Sequence, residues 1–133
     1  MLVVDLGQSG SRFQFSNGKT LLSRGKLSSE TVLESLREVF ILIPKIQTDV
    51  VSLSCTGFNG VVPPAQPFAE LCGEFFGAKK VAVIDDGLAG FVGALNGRNG
   101  VVLSIGGGVV AVGTGIALLG LRTTGSGRDR RAS

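Results

Sequence analysis

A chain of 133 residues with 44% hydrophobic side chains can bury one core, so it holds one domain, or one domain and part of another. It has no histidine, which excludes imidazole as base or metal ligand and leaves proton transfer to carboxylates, lysines or water. The net charge of +3 sits wholly after Leu121, where four arginines meet one aspartate; the rest is neutral and offers no basic patch for a nucleic acid.

Met1 to Leu6 is a nearly continuous apolar run, as expected of a strand covered on both faces. Arg12 to Phe15 alternates polar and apolar residues, and Asn17–Gly18 suits a two-residue hairpin turn into Thr20–Ser23. These make three antiparallel strands. Ser28, Ser29 and Glu30 read as a helix start, after which Leu33, Leu36, Phe40 and Ile43 recur at helical spacing until Pro44. Val50 to Leu53 is a fourth strand, leading into the loop SCTGFNG, Ser54 to Gly60. Pro67 fits the first turn of a second helix that carries Phe68, Leu71, Phe75 and Phe76 and stops at Gly77. Val81 to Ile84 is the fifth strand, and Leu88 to Leu95 a third helix closed by Asn96 and Gly97.

The order β-β-β-α-β-α-β-α is that of a ribonuclease H-like α/β domain, a mixed five-stranded sheet with helices. From Val101 to Leu121 no residue is charged. The length would just admit a membrane span of about 20 residues, but glycines at 106–108 and 113–115 divide the segment into three short strands, a second meander. No membrane contact is expected. The remainder, 122–133, has no apolar periodicity and is expected to be disordered. Cys55 and Cys72 lack metal-ligand spacing and form no disulfide framework. With no basic segment leading an apolar one at the amino end, the expected location is the cytoplasm.

Three stretches could carry chemistry. In DLGQSGSR, Asp5 to Arg12, a strand feeds a turn of small residues whose backbone N–H groups could converge on a phosphate, with Asp5 beside it to hold Mg²⁺. A tight hairpin whose aspartate satisfies turn amides explains the same residues equally well. Asp85 and Asp86 end a parallel strand, where ligands of open α/β sheets collect. One could face the cleft as a base while the other caps the helix, or both could be caps. Gly106, Gly107 and Gly108 form a second strand–glycine turn; a dinucleotide fingerprint there would need a helix, which Gly113 and Gly115 interrupt. The loop 57–60, with Asn59 its best hydrogen-bonding residue, lies at another strand end and reads first as a connector, second as a sugar contact.

The order of these three stretches resembles the actin-like ATPase and sugar kinase superfamily, and in detail the BadF/BadG/BcrA/BcrD type ATPase family that includes N-acetylglucosamine kinases. The family's first phosphate motif is matched by Asp5 to Arg12. Its Asn-Asp-Ala segment is matched by DDGLAG, with Asp86 in the place of the catalytic base, Asp85 where Asn is usual and Gly87 where Ala is usual. Its second motif, commonly Gly-Thr-Gly-Ser, is met by Gly106, Gly107, Gly108 and Val109, without either hydroxyl.

The resemblance implies ATP-dependent transfer of a phosphoryl group to a sugar hydroxyl, N-acetylglucosamine or a related sugar. Asp86 would deprotonate or orient the acceptor, Asp5 would place Mg²⁺, and Gly7, Gln8, Ser9, Gly10 and Ser11 with Gly106–Gly108 would hold the phosphates of ATP. Asp86 and Asn59 would contact the sugar. Family members continue into a second domain that supplies the adenosine pocket. The chain is therefore expected to be an amino-terminal half, either a deliberate fragment or the product of a frameshift or early stop: a ribonuclease H-like domain at 1–98, the first strands of a second, similar domain at 99–121, and a tail at 122–133 whose composition favours the frameshift. An uncovered meander would favour a homodimer or other self-association. Two alternatives remain, a non-catalytic ATP-binding module and an ATP-driven activator of a dehydratase, whose cysteines would surround the second phosphate motif; here none follows Cys72.

Overall fold

The computed structural model describes residues 1–23, 31–58, 61–105, 109–114 and 119–124. They divide into two units, Met1–Asp86 and Gly87–Ser133. The first unit contains strands β1 (Leu2–Leu6), β2 (Ser11–Phe15), β3 (Thr20–Ser23), β4 (Val50–Cys55) and β5 (Lys80–Asp85), with helices α1 (Val32–Ile41) and α2 (Gln66–Phe76). Its sheet has the order β3-β2-β1-β4-β5. The first three strands are antiparallel, and β1, β4 and β5 run parallel. This is the expected mixed five-stranded sheet.

One face of the sheet makes the core. Leu2, Val4 and Leu6 on β1, Phe13 on β2, and Val51, Leu53 and Cys55 on β4 are fully buried, because α1 and α2 lay Leu36, Val39, Phe40, Phe68, Leu71, Cys72 and Phe76 against them. Phe40 joins the layers, meeting Phe13, Phe75 and Phe76 edge-on at 6.5, 5.5 and 4.7 Å. The residues that alternate with these, Val3, Asp5, Ser52 and Ser54, stand on the opposite face and are half-buried.

Several boundaries differ from the sequence reading. The β2–β3 loop has three residues, Ser16, Asn17 and Gly18. The Phe15 N–H donates to the Lys19 carbonyl, and only Gly18 takes a left-handed φ, of 82°. Asn17 uses its side chain instead, accepting from the Lys19 N–H at 3.0 Å, the arrangement of a three-residue hairpin with a bulge glycine. Helix α1 is capped by Thr31, whose hydroxyl accepts from the Glu34 N–H while Glu34 reaches back to the Thr31 N–H. The expected start at Ser28–Glu30 lies outside the described residues. The helix ends at Ile41, and Ile43 is buried beyond it. Helix α2 has its proline in the first turn and Gly77 left-handed after its end, as read.

In the second unit, helix α3 (Asp86–Leu95) begins on the last residue of the first unit and closes with Asn96 and Gly97, both at positive φ. Strands β6 (Gly100–Ile105), β7 (Val109–Thr114) and β8 (Leu119–Thr124) form an antiparallel meander in that order. Strand β8 runs three residues past Leu121, into the segment expected to be a tail; 125–133 lie outside the described residues. Among the described residues no helix is long and apolar enough to cross a membrane.

Candidate functional site

Because β1, β4 and β5 are parallel, their carboxyl ends share one edge of the sheet, which collects the β1–β2 turn, the residues after Cys55 and the Asp85–Asp86 pair. Parallel sheets bind ligands at such an edge, where strand ends and helix beginnings leave backbone groups unpaired. The sequence thus delivers three carboxylates from two distant segments to one place. Their field is felt at Cys55: burial first, then the negative charges of Asp5, Asp86 and Asp85 together with the Cys72 thiol, push the Cys55 thiol up to about 12. A thiol so placed is an inert core group.

The two aspartates of β5 and α3 have different surroundings. Asp85 is the last strand residue, in register with Cys55 on the core-facing side, and is buried. Asp86 is exposed and opens α3, since the helix starts there and not at Leu88 as read from the sequence. A carboxylate in the first turn interacts favourably with the helix dipole, and its exposure leaves it accessible to a solute at the edge.

The β1–β2 turn is tighter than a phosphate cradle needs to be. The Gly7 N–H donates to the Gly10 carbonyl at 3.0 Å, and a Cβ on Gly7 would stand 2.9 Å from that oxygen. Gly10 is held nearly as closely, 3.2 Å from the Ser23 carbonyl oxygen by the same measure. Gly7 is therefore required by backbone crowding within the hairpin, and Gly10 is tight against β3. Gln8 and Ser9 form the exposed tip, while Ser11 is buried on the core-facing side. Of the turn's two hydroxyls, that of Ser9 is presented to solvent.

Asp5 is half-buried on the opposite face, between Arg12 of β2 and Ser54 of β4 in register. The Ser54 hydroxyl donates to Asp5 Oδ1 at 3.4 Å. Among the described residues no three Cys, Asp or Glu side chains are grouped to hold a metal ion. Mg²⁺ bound with a nucleotide needs no such cage, since phosphates and water supply most of its ligands and one or two carboxylates complete them. Asp5 fits that lesser demand.

Gly106, Gly107, Gly108 and Asn59 lie outside the described residues. Sequence reasoning did not single out Ser54 as a partner of Asp5, although its place near the end of the middle parallel strand was a usable signal. Clefts of about 330, 380 and 420 Å³ lie at the other edge of the sheet, around Lys45, Glu74, Phe76 and Lys79. Asp5, Asp85 and Asp86 are at the opposite ends of the strands. A smaller apolar cleft of about 310 Å³ adjoins Phe58 at the beginnings of α1 and α2.

No family model matches the chain, and neither does any curated protein. Solved structures share the fold. A candidate N-acetylglucosamine kinase from Porphyromonas gingivalis superposes with a TM-score of 0.62 at 17% identity, over 93% of this chain and 47% of its own. A second candidate N-acetylglucosamine kinase, from Chromobacterium violaceum, gives 0.52 at 22% identity, over 96% of this chain and 50% of its own. A ROK family protein from Streptococcus pneumoniae, solved with sucrose, gives 0.52 at 18%, over 90% and 48%. The chain spans about half the length of these proteins and shares their fold.

Proposed function

We propose that this chain is the amino-terminal part of an ATP-dependent kinase that phosphorylates a sugar hydroxyl, with N-acetylglucosamine or a related sugar as the acceptor. The observation that carries the reading is the meeting of Asp5, the Gly7–Gly10 turn and Asp86 at the carboxyl edge of one sheet. Phosphoryl transfer is chiefly positioning and charge stabilisation, so it asks for few groups, placed well. Asp86, exposed and at the edge, accepts the proton of the attacking hydroxyl or orients it. Exposed Gln8 and Ser9, with the amide of Gly10, face the nucleotide phosphates; the Gly7 amide is occupied by Gly10. Asp5 would hold Mg²⁺, which when bound neutralises charge on the transferred phosphoryl group.

The same fold is compatible with a second reading, a nucleotide-binding module without turnover. The activator reading loses support, because Cys55 and Cys72 are both buried in the core and cannot reach a shared cluster. Titration of the chain with Mg²⁺ and ATP, followed at the backbone amides, tests the proposal. Shifts at Leu6–Ser11 that disappear in Asp5→Asn and persist in Asp86→Asn are expected. Shifts confined to the clefts around Lys45 and Lys79 would overturn it.

A further inference from the structure

We infer that Ser54 is a positioning residue for the divalent cation at Asp5, an inference that rests on the kinase reading above. Asp5 and Ser54 are register partners on the parallel strands β1 and β4, so their side chains leave the same face of the sheet side by side. The Ser54 hydroxyl donates to Oδ1 of Asp5 at 3.4 Å, and both residues are half-buried. Among the described residues no protein donor meets Oδ2. One oxygen thus faces the neighbouring strand, and the other is left for a cation and its phosphates.

A carboxylate on a strand rotates about two side-chain bonds. A donor fixed to one oxygen sets the plane of the group and so the direction from which the other oxygen meets an ion. Such outer partners of metal ligands typically govern about 10- to 100-fold in metal affinity. Serine also explains its own position: on a strand otherwise rich in Val and Leu, residues 52 and 54 are hydroxyl-bearing and 50, 51 and 53 are apolar. The core-facing residues need to be apolar; Ser54 is on the other face and next to the only carboxylate of β1.

The test compares Ser54→Val and Ser54→Thr, which have nearly the same shape and differ in the hydroxyl, alongside Asp5→Asn. Mn²⁺ alone, and Mg²⁺ with ATP, are titrated into the full 133-residue chain; the readouts are paramagnetic broadening at Leu6 and Cys55 amides and the Mg²⁺ midpoint for ATP binding. Expected are a midpoint raised about tenfold in Ser54→Val, one near the parent in Ser54→Thr, a loss of response in Asp5→Asn, and equal melting temperatures for both Ser54 variants. A Ser54→Val midpoint within twofold of the parent, with Asp5→Asn impaired, overturns the inference and leaves the kinase reading standing. An unimpaired Asp5→Asn, or no response of the parent to either probe, overturns both.

Discussion

Asp85 and Asp86 are neighbours in sequence, yet the chain passes from strand to helix between them and leaves Asp85 only 8% exposed while Asp86 is open to solvent. The two carboxylates therefore cannot do the same work. On the proposed kinase reading, and in a protein that joins this chain to a second domain, Asp86→Asn is expected to fold and to bind ATP normally, and to lose about 10²- to 10⁴-fold in sugar phosphorylation. Asp85→Asn, which moves toward the residue usual in the resembled family, should keep its turnover. Steady-state rates for the two variants check this. Near-normal rates in Asp86→Asn, or the larger loss in Asp85→Asn, would show that Asp86 only caps α3.

Gly7 is held against backbone: a Cβ at this position would stand 2.9 Å from the Gly10 carbonyl oxygen. That oxygen is backbone and cannot swing aside as a flexible side chain would. Gly7→Ala should therefore cost about 1–3 kcal/mol in chemical denaturation. Gly93→Ala is the control: it lies in α3 with no atom within 4 Å of its Cβ position, so the better helix former should be neutral or stabilising by up to about 1 kcal/mol. Equal effects at the two sites would mean that the hairpin yields more easily than its geometry suggests.

Cys55 and Cys72 make stability depend on alkaline pH. Burial is the leading cause for both, and both thiols are pushed up from 9.0 to about 12. The folded state thus keeps its thiol protons after the unfolded chain has begun to lose them. Their contribution is fully present below about pH 9 and is lost as pH rises toward about 12. Denaturation midpoints should fall across that window, and less steeply in the Cys55→Ala, Cys72→Ala double variant relative to its own value at pH 8. Both thiols should also resist alkylation until the chain unfolds; rapid native labelling would refute their burial.

On β6, Val101, Leu103 and Ile105 share one face and are 70%, 62% and 77% exposed. Three large apolar side chains in a row on an edge strand invite association. The chain is expected to self-associate at micromolar concentrations, and Leu103→Lys should shift it toward the monomer in analytical ultracentrifugation without a change in melting temperature. A monomeric parent chain would dismiss this expectation.

How far the sequence reached can be read from particular residues. Pro67 and Gly77 bracket α2, and Asn96–Gly97 closes α3, because these ends depend on the φ angles that single residue types allow. The apolar runs Met1–Leu6 and Val81–Ile84 likewise placed Asp5 and Asp85 near strand ends. What local chemistry could not decide was choice among equivalents and choice of face. Thr31, and not an earlier serine, caps α1 because its spacing to Glu34 closes a capping box. The β2–β3 loop takes three residues because the Gln14–Thr20 register leaves that number beyond the Phe15–Lys19 pair. Asp85 is buried and Asp5 half-exposed because α1 and α2 cover the same face of the sheet, the face on which Leu6, Ser11, Cys55 and Asp85 fall in register. Turns and helix ends are settled by residues a few positions apart; burial and the meeting of Asp5 with Ser54, 49 positions away, are settled only when distant strands pair.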